Sequence, residues 1–237
     1  MSIASQEGLV DWAGPILEGA LTTLEIALLA YAIGVLLGLV GAACRLSRQA
    51  WLRGIGAGYS TGVRAVPELL LIILLYYAGS QALTAAAHAL GLSGQVAING
   101  FVTAVGVLAF VQGAYMTEVF RGAISAIPRG QLEAADAFGF SPWARFRRVT
   151  LPAMLPNALP GMSNLWLILI KDTALISVIG YSELFFTVQQ AAASTRAHFL
   201  FYAAAGALYL AMTLTSNWLF AVVERRARRG LPQLQEH

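Results

Sequence analysis

Charged positions divide this chain into long apolar runs, and the runs set its architecture. The first, Ile26 to Cys44, has no charged residue and is long enough to cross a bilayer. Within it Ala30, Gly34, Gly38 and Ala42 recur every fourth position. That spacing places small residues along one stripe of a helix, which lets a neighbouring backbone approach closely. Between Glu68 and Glu118 lie 49 residues without Asp, Glu, Lys or Arg. One helix of that length would be about 74 Å long, against a hydrocarbon core of roughly 30 Å. The run therefore predicts two spans, at roughly 60–80 and 98–119. Gly91, Ser93, Gly94, Asn99 and Gly100 predict the turn, near His88–Asn99. Val149 to Ile170 is a further apolar stretch, interrupted by Pro152, Pro156 and Pro160. Proline lacks a backbone donor, so the helix is expected to start near one of these and run on through Asn164. Lys171 and Asp172 then fall inside or at the end of the span. The last run, Ala197 to Val223, is a clear span. Five spans is the economical count, and segment 172–196 has room for a short or re-entrant helix.

Composition narrows the class. Of the 237 residues, 58% are hydrophobic and only 11% charged, against about a quarter charged in a soluble domain. That excludes a disordered chain and argues against a soluble enzyme. The chain reads as an all-α polytopic membrane protein, one domain over 1–237, in contact with membrane lipid. Fourteen of the fifteen basic residues are Arg. Thirteen of the fifteen lie in 45–64, 118–148 and the tail from Arg225 to Arg229, while 1–18 and 80–98 have none. Positive-inside orientation predicts the N-terminus outside, the C-terminus inside and an odd number of spans. The arginines read as orientation signals rather than a nucleic-acid surface. Segment 1–18 lacks the basic start of a signal peptide, so the first run reads as a retained span.

Chemistry is sparse. Cys44 is the only cysteine, which excludes an internal disulfide and a multi-cysteine metal site. His88, His198 and His237 are too dispersed for a local metal motif. No catalytic constellation stands out, so no enzyme activity and no cofactor are expected. Glu25, Glu68, Glu118, Lys171, Asp172 and Glu183 lie in or near spans, where ionisable groups face a cavity or a partner. Glu25 and Glu68 sit near span ends and could snorkel. Glu118 and Arg121, three apart, could pair on one helix. Lys171–Asp172 is the deepest candidate and reads either as a pathway or gate element or as a local pair. Tyr76, Tyr77, Trp166, Phe185 and Phe186 read as belt or core aromatics.

The structured loop between spans, about 122–152, reads as two short helices. Pro128 precedes the first, Arg129–Phe138. Gly139 stands where a helix C-terminal glycine does. Ser141 then Pro142 form an N-cap and first-turn proline for a second helix with Trp143, Arg145, Phe146, Arg147 and Arg148. An interfacial helix on anionic lipid is the alternative use of this loop.

Here the residues resemble a family. Glu133-Ala134-Ala135, Gly139, then Val149-Thr150-Leu151-Pro152 is similar to the cytoplasmic signature of bacterial ABC-importer permeases, with Val149 in place of the usual Ile. Gly19–Glu25, Arg64–Glu68, Ala114–Gly122 and Lys171–Leu175 resemble the polar amino acid subfamily. Glu133–Phe140 and Glu224–Arg226 resemble the histidine/lysine–arginine–ornithine and octopine/nopaline permeases. The resemblance implies a type I importer fold in a bacterial inner membrane, with a pathway for a polar, basic amino acid or an opine. It implies a second homologous permease subunit or a copy of this one, a cytoplasmic ATPase dimer that binds ATP–Mg, and a periplasmic substrate-binding protein. Glu133, Ala134, Ala135, Gly139, Leu151 and Pro152 become the ATPase-coupling residues. Glu118, Glu25, Lys171 and Asp172 remain candidate pathway or gate residues. The only lysine, Lys171, stands in no phosphate-binding loop, so ATP must be bound by another chain. A stand-alone secondary transporter would need an internal repeat, and none is visible.

Overall fold

The computed structural model describes residues 3–89 and 99–227. They form nine α-helices: α1 (Ile3–Arg45), α2 (Ala50–Arg64), α3 (Glu68–Ala89), α4 (Gly100–Ser125), α5 (Arg129–Ala137), α6 (Pro142–Arg145), α7 (Leu151–Asp172), α8 (Leu184–Thr195) and α9 (His198–Ala227). A π-helical turn, Phe146–Thr150, joins α6 to α7, and a 3-10 turn, Thr173–Ile179, follows α7. Four segments are long and apolar enough to cross a membrane: Val10–Arg45, Gly100–Ser125, Pro142–Ile179 and His198–Ala227. The bent pair Ala50–Arg64 and Glu68–Gly79 makes a fifth where it is counted as one broken span. The turn expected near His88–Asn99 lies mostly outside the described residues, as do Arg228, Arg229 and His237.

The small stripe on α1 packs against α4. Ala30 and Ala42 are fully buried. A Cβ added to Gly34 would lie 2.9 Å from Gln112. One at Gly38 would meet both the side chain and backbone of Met116, and one at Gly41 would meet Thr117. Two backbones close enough to exclude a methyl group gain dispersion contacts that lipid cannot match. α7 is tied to this pair by hydrogen bonds to its carbonyls, from Gln112 Nε2 to Leu165 at 3.1 Å and from the Tyr31 hydroxyl to Met162 at 3.0 Å. Tyr31 also meets Trp166 edge to face, with centroids 5.2 Å apart. Trp166, 7% exposed, is a core aromatic.

Two expectations need correction. The span expected at 60–80 is not one helix: α2 ends at Arg64, α3 begins at Glu68, and the axes differ by 113°. Pro67 is the cause. Proline disfavours the helical region for its predecessor, and here α2 ends before Val66. The start expected of α7 holds: the helix begins at Leu151, with Pro152 in its first turn, and keeps Pro156 and Pro160 inside. The second correction concerns the loop before it. The second helix of the loop is a single turn, Pro142–Arg145, that continues through the π-helical turn into α7.

Segment 172–196 holds the short helix α8, preceded by a left-handed Gly180 at φ +77°. Glu183, fully buried, caps α8 by accepting from the backbone N–H groups of Phe185 at 2.9 Å and Phe186 at 2.8 Å. Thr23 of α1 donates to it at 3.2 Å and Tyr209 of α9 at 3.4 Å. One carboxyl group therefore joins α1, α8 and α9, and both of its oxygens are hydrogen-bonded, as a buried polar group requires.

Candidate functional site

The sequence-predicted residues fall into three places. The first is the elbow between α4 and α7. α5 ends in a Schellman motif: Phe140 N–H donates to the Ala135 carbonyl at 3.1 Å and Gly139 N–H to Asp136 at 3.0 Å. Gly139 has φ +72°, the left-handed conformation that costs a residue with a Cβ roughly 1–2 kcal/mol. Nothing lies within 4 Å of where its Cβ would stand. The backbone angle, not space, calls for glycine. Ser141 caps the next turn, its Oγ accepting from Ala144 N–H at 3.3 Å, with Pro142 in the first turn. Across the corner Arg145 Nη1 donates to both carboxylate oxygens of Asp136, at 2.7 and 2.8 Å. Arg148 lies over the Phe140 ring, 6.0 Å from its centroid.

The elbow has an inner and an outer side. Ala135 is buried, and Leu132 packs on the cluster of Phe120, Ile127 and Met154 that ends α4 and opens α7. Glu133 and Ala134 are exposed, while Leu151 and Pro152 begin α7 behind them. Phe138 is 83% exposed and Trp143 68%. Two aromatics displayed on either side of a fixed corner are the kind of anchor that protein partners bury.

The second place is an acidic cluster beside the break between α2 and α3. The Tyr115 hydroxyl donates to Glu68 Oε1 at 2.6 Å. Asp172, at the end of α7, lies in the electrostatic field of both Glu68 and Lys171. Among the described residues neither Glu68 nor Asp172 has an ion-pair partner within 4.0 Å. Tyr115 stands ten residues from the Ser125 end of α4 and fifteen from Gly100, or about 15 and 22 Å along the axis. The cluster therefore lies beside the middle of α4, a segment long and apolar enough to cross a membrane. Lys171 is exposed and lines a cleft of about 450 Å³ with Phe185, Tyr202 and Tyr209. Sequence reading placed Glu68 near a span end. It is the first residue of α3, after the Val66–Pro67 break, and lies near Asp172; that dipeptide was the available signal.

The third place holds Glu118. It pairs with Arg121 at 2.8 Å, as the three-residue spacing predicts, but also with Arg45 at 3.3 Å and Arg64 at 3.9 Å, and it accepts from Ser60 at 2.8 Å. These partners come from α1 and α2, far away in sequence. Glu25 belongs to none of the three places. It is exposed on α1, twenty residues or about 30 Å from Arg45 along the axis. No group of three or more His, Cys, Asp or Glu able to hold a metal occurs among the described residues, and Cys44 is a free thiol.

The profile of the family described as the binding-protein-dependent transport system inner membrane component matches residues 34–229. The chain is 42% identical over 223 residues to the histidine/lysine/arginine/ornithine transport system permease protein HisQ of Salmonella typhimurium, covering 94% of this chain and 97% of that protein. It is 40% identical over 227 residues to the nopaline transport system permease protein NocQ of Agrobacterium fabrum, covering 95% and 96%. Among solved structures it resembles an amino acid ABC transporter crystallised with histidines, with TM-score 0.75, 29% identity, and 92% and 96% of the two chains covered.

Proposed function

Because this chain belongs to the family of inner-membrane components of binding-protein-dependent transport systems, and is the multi-pass permease subunit of an ABC importer rather than a catalyst, we propose a division of labour among its parts. The whole chain is one permease domain, oriented with its N-terminus outside and its C-terminus inside. Its substrate is a basic amino acid or an opine. The names of HisQ and NocQ support that class, and so does the acidic cluster. Glu68 and Asp172 present two carboxylates that carry no ion pair among the described residues, and a guanidinium or ammonium would complete them. Lys171 next to them matches the carboxylate of the same amino acid. Glu118 serves the ion cluster around it. Glu25, expected near a span end, stands instead midway along α1, exposed, and has no part in the pathway.

The elbow is the coupling element. Glu133, Ala134 and the exposed Phe138 and Trp143 form its outer face for a cytoplasmic ATPase dimer, which binds ATP–Mg. Gly139 sets the angle, and Leu151 and Pro152 pass the movement into α7. A second homologous permease, or a copy of this chain, completes the pathway, and a periplasmic binding protein delivers substrate. The single observation that carries the substrate reading is the Glu68–Asp172 pair, which has no ion-pair partner within 4.0 Å among the described residues.

The test is uptake by the reconstituted complex. Arginine, histidine, ornithine or an opine should compete for transport, and sugars or anions should not. Glu68→Gln and Asp172→Asn should each raise the half-saturating arginine concentration about tenfold or more, the worth of a hydrogen bond to a charged group. Basal ATP hydrolysis should not change. Unchanged arginine uptake in both variants would remove the cluster from the pathway.

A further inference from the structure

One charged feature is not needed for the transport pathway. Around Glu118 stand three guanidiniums, from Arg45, Arg64 and Arg121. One carboxylate against three arginines leaves two positive charges uncompensated. Arg45 Nε is buried and has no hydrogen-bond partner of good geometry, although it lies 3.3 Å from Glu118. Each guanidinium has five donors. Among the described residues two of these donors are engaged, Arg64 Nε with the Ser60 carbonyl at 2.9 Å and Arg121 Nε with Glu118 at 2.8 Å. The cluster is thus over-supplied with donors as well as charge. Arg48 and Arg53 extend it around the α1–α2 corner without adding an acid.

The surroundings indicate what completes it. α2 buries Gly56, Ser60 and Val63 against the bundle. It leaves Trp51 64% and Ile55 60% exposed. On α1, five and nine residues before Arg45, Val40 and Leu36 are exposed as well. Exposed tryptophan and aliphatic groups beside arginines are the arrangement of a helix lying at a membrane surface. Gly56 permits the close corner, since a Cβ there would lie 3.1 Å from Arg45 and Cys44. We propose that the corner formed by Arg45, Arg64 and Arg121 around Glu118 is a binding site for the phosphate headgroup of an anionic phospholipid, with its acyl chains along Trp51, Ile55 and Val40. A forked guanidinium matches phosphate oxygens two at a time, and basic pockets between spanning helices hold such headgroups. Arg45 and Arg64 bind the headgroup directly, and Glu118 and Ser60 keep their guanidiniums in place. Only the choice of leaflet rests on the orientation proposed above, which makes it the cytoplasmic one.

The experiment is native mass spectrometry of the assembled complex with equimolar phosphatidylglycerol and phosphatidylcholine. Wild type should retain phosphatidylglycerol preferentially. The preference should fall roughly fivefold for each arginine removed in Arg45→Gln and Arg64→Gln, hold in Arg129→Gln, and survive in part in Arg45→Lys. Should the Arg45→Gln complex not assemble, Arg64→Gln alone reads the same preference, because its guanidinium lies 3.9 Å from Glu118, beyond hydrogen-bond reach. An unchanged preference in Arg64→Gln and Arg45→Lys overturns the site. Displacement of the lipid by millimolar inorganic phosphate would assign it to free phosphate instead, and so would also overturn it. Loss of the ATPase from Arg64→Gln with lipid preference intact would make the patch a protein contact and overturn it too. A cysteine at Gln131 that labels from outside the cell would reverse the leaflet and sink the orientation, while the arginine-dependent preference would leave the lipid site standing.

Discussion

The α1–α4 seam and the α5–α6 elbow both depend on glycine, for opposite reasons. Along the seam Gly34, Gly38 and Gly41 have ordinary helical backbone but no room for a side chain. At the elbow Gly139 has open space around it and a backbone angle that L side chains rarely adopt. The seam is the rigid part of the subunit, where two spans lock together. The elbow is held by a Schellman motif, an N-cap and one ion pair, and it displays two aromatics outward. A substitution that adds volume should damage the first, and one that restricts φ should damage the second.

The largest expected effect is at the seam. Gly38→Val places atoms where Met116 already stands, and overpacking of this kind costs about 1–3 kcal/mol or more. Because Met116 is fully buried and its own backbone lies in the way, we expect loss of assembled complex, read as the yield of monodisperse complex after extraction from membranes. Gly106→Ala is the control. Nothing lies within 4 Å of its Cβ position, so yield should not fall. A smaller effect is expected at the Glu183 junction. Glu183→Ala removes the acceptor for two backbone amides and two hydroxyls at once. That should cost about 3 kcal/mol, seen as a lowered Tm of the purified complex. An unchanged Tm would show that water or lipid replaces the carboxylate. The smallest belongs to the elbow's ion pair. Arg145 and Asp136 are 39% and 55% exposed, and exposed pairs contribute at most about 1 kcal/mol. Arg145→Ala should leave Tm unchanged and lower substrate-stimulated ATP hydrolysis less than twofold.

The same contrast explains what could be read from the sequence. The fourfold spacing of Ala30, Gly34, Gly38 and Ala42 is a local pattern, and it predicted the close seam. The order of Glu133, Gly139, Ser141 and Pro142 is equally local, and it predicted the elbow with its left-handed glycine. Charge gaps located α9 to within four residues and the start of α4 to within two, and ended α4 six residues early. They merged α2 with α3 because hydropathy does not register Pro67 as a break. The partners of Glu118 and Glu183 were hidden for another reason. Arg45 is 73 positions before Glu118, and Thr23 is 160 before Glu183. No spacing rule reaches that far, so Glu118 was assigned only its neighbour Arg121. Glu183 was seen as a charge near a span and not as a cap. The acidic cluster was half visible: Asp172 was singled out, but Glu68 joins it only through the bend at Pro67.

The central claim is that the elbow transmits ATP hydrolysis to the spans through an angle fixed at Gly139. The most direct measurement is ATP hydrolysis by the reconstituted complex, stimulated by substrate-loaded binding protein, in wild type, Gly139→Val and Gly139→Asn. Asparagine tolerates the left-handed conformation and a β-branched residue does not. The account predicts normal assembly in all three, stimulation close to wild type with asparagine, and stimulation lost with valine while basal hydrolysis persists. Full stimulation and full uptake in an assembled Gly139→Val complex would contradict it.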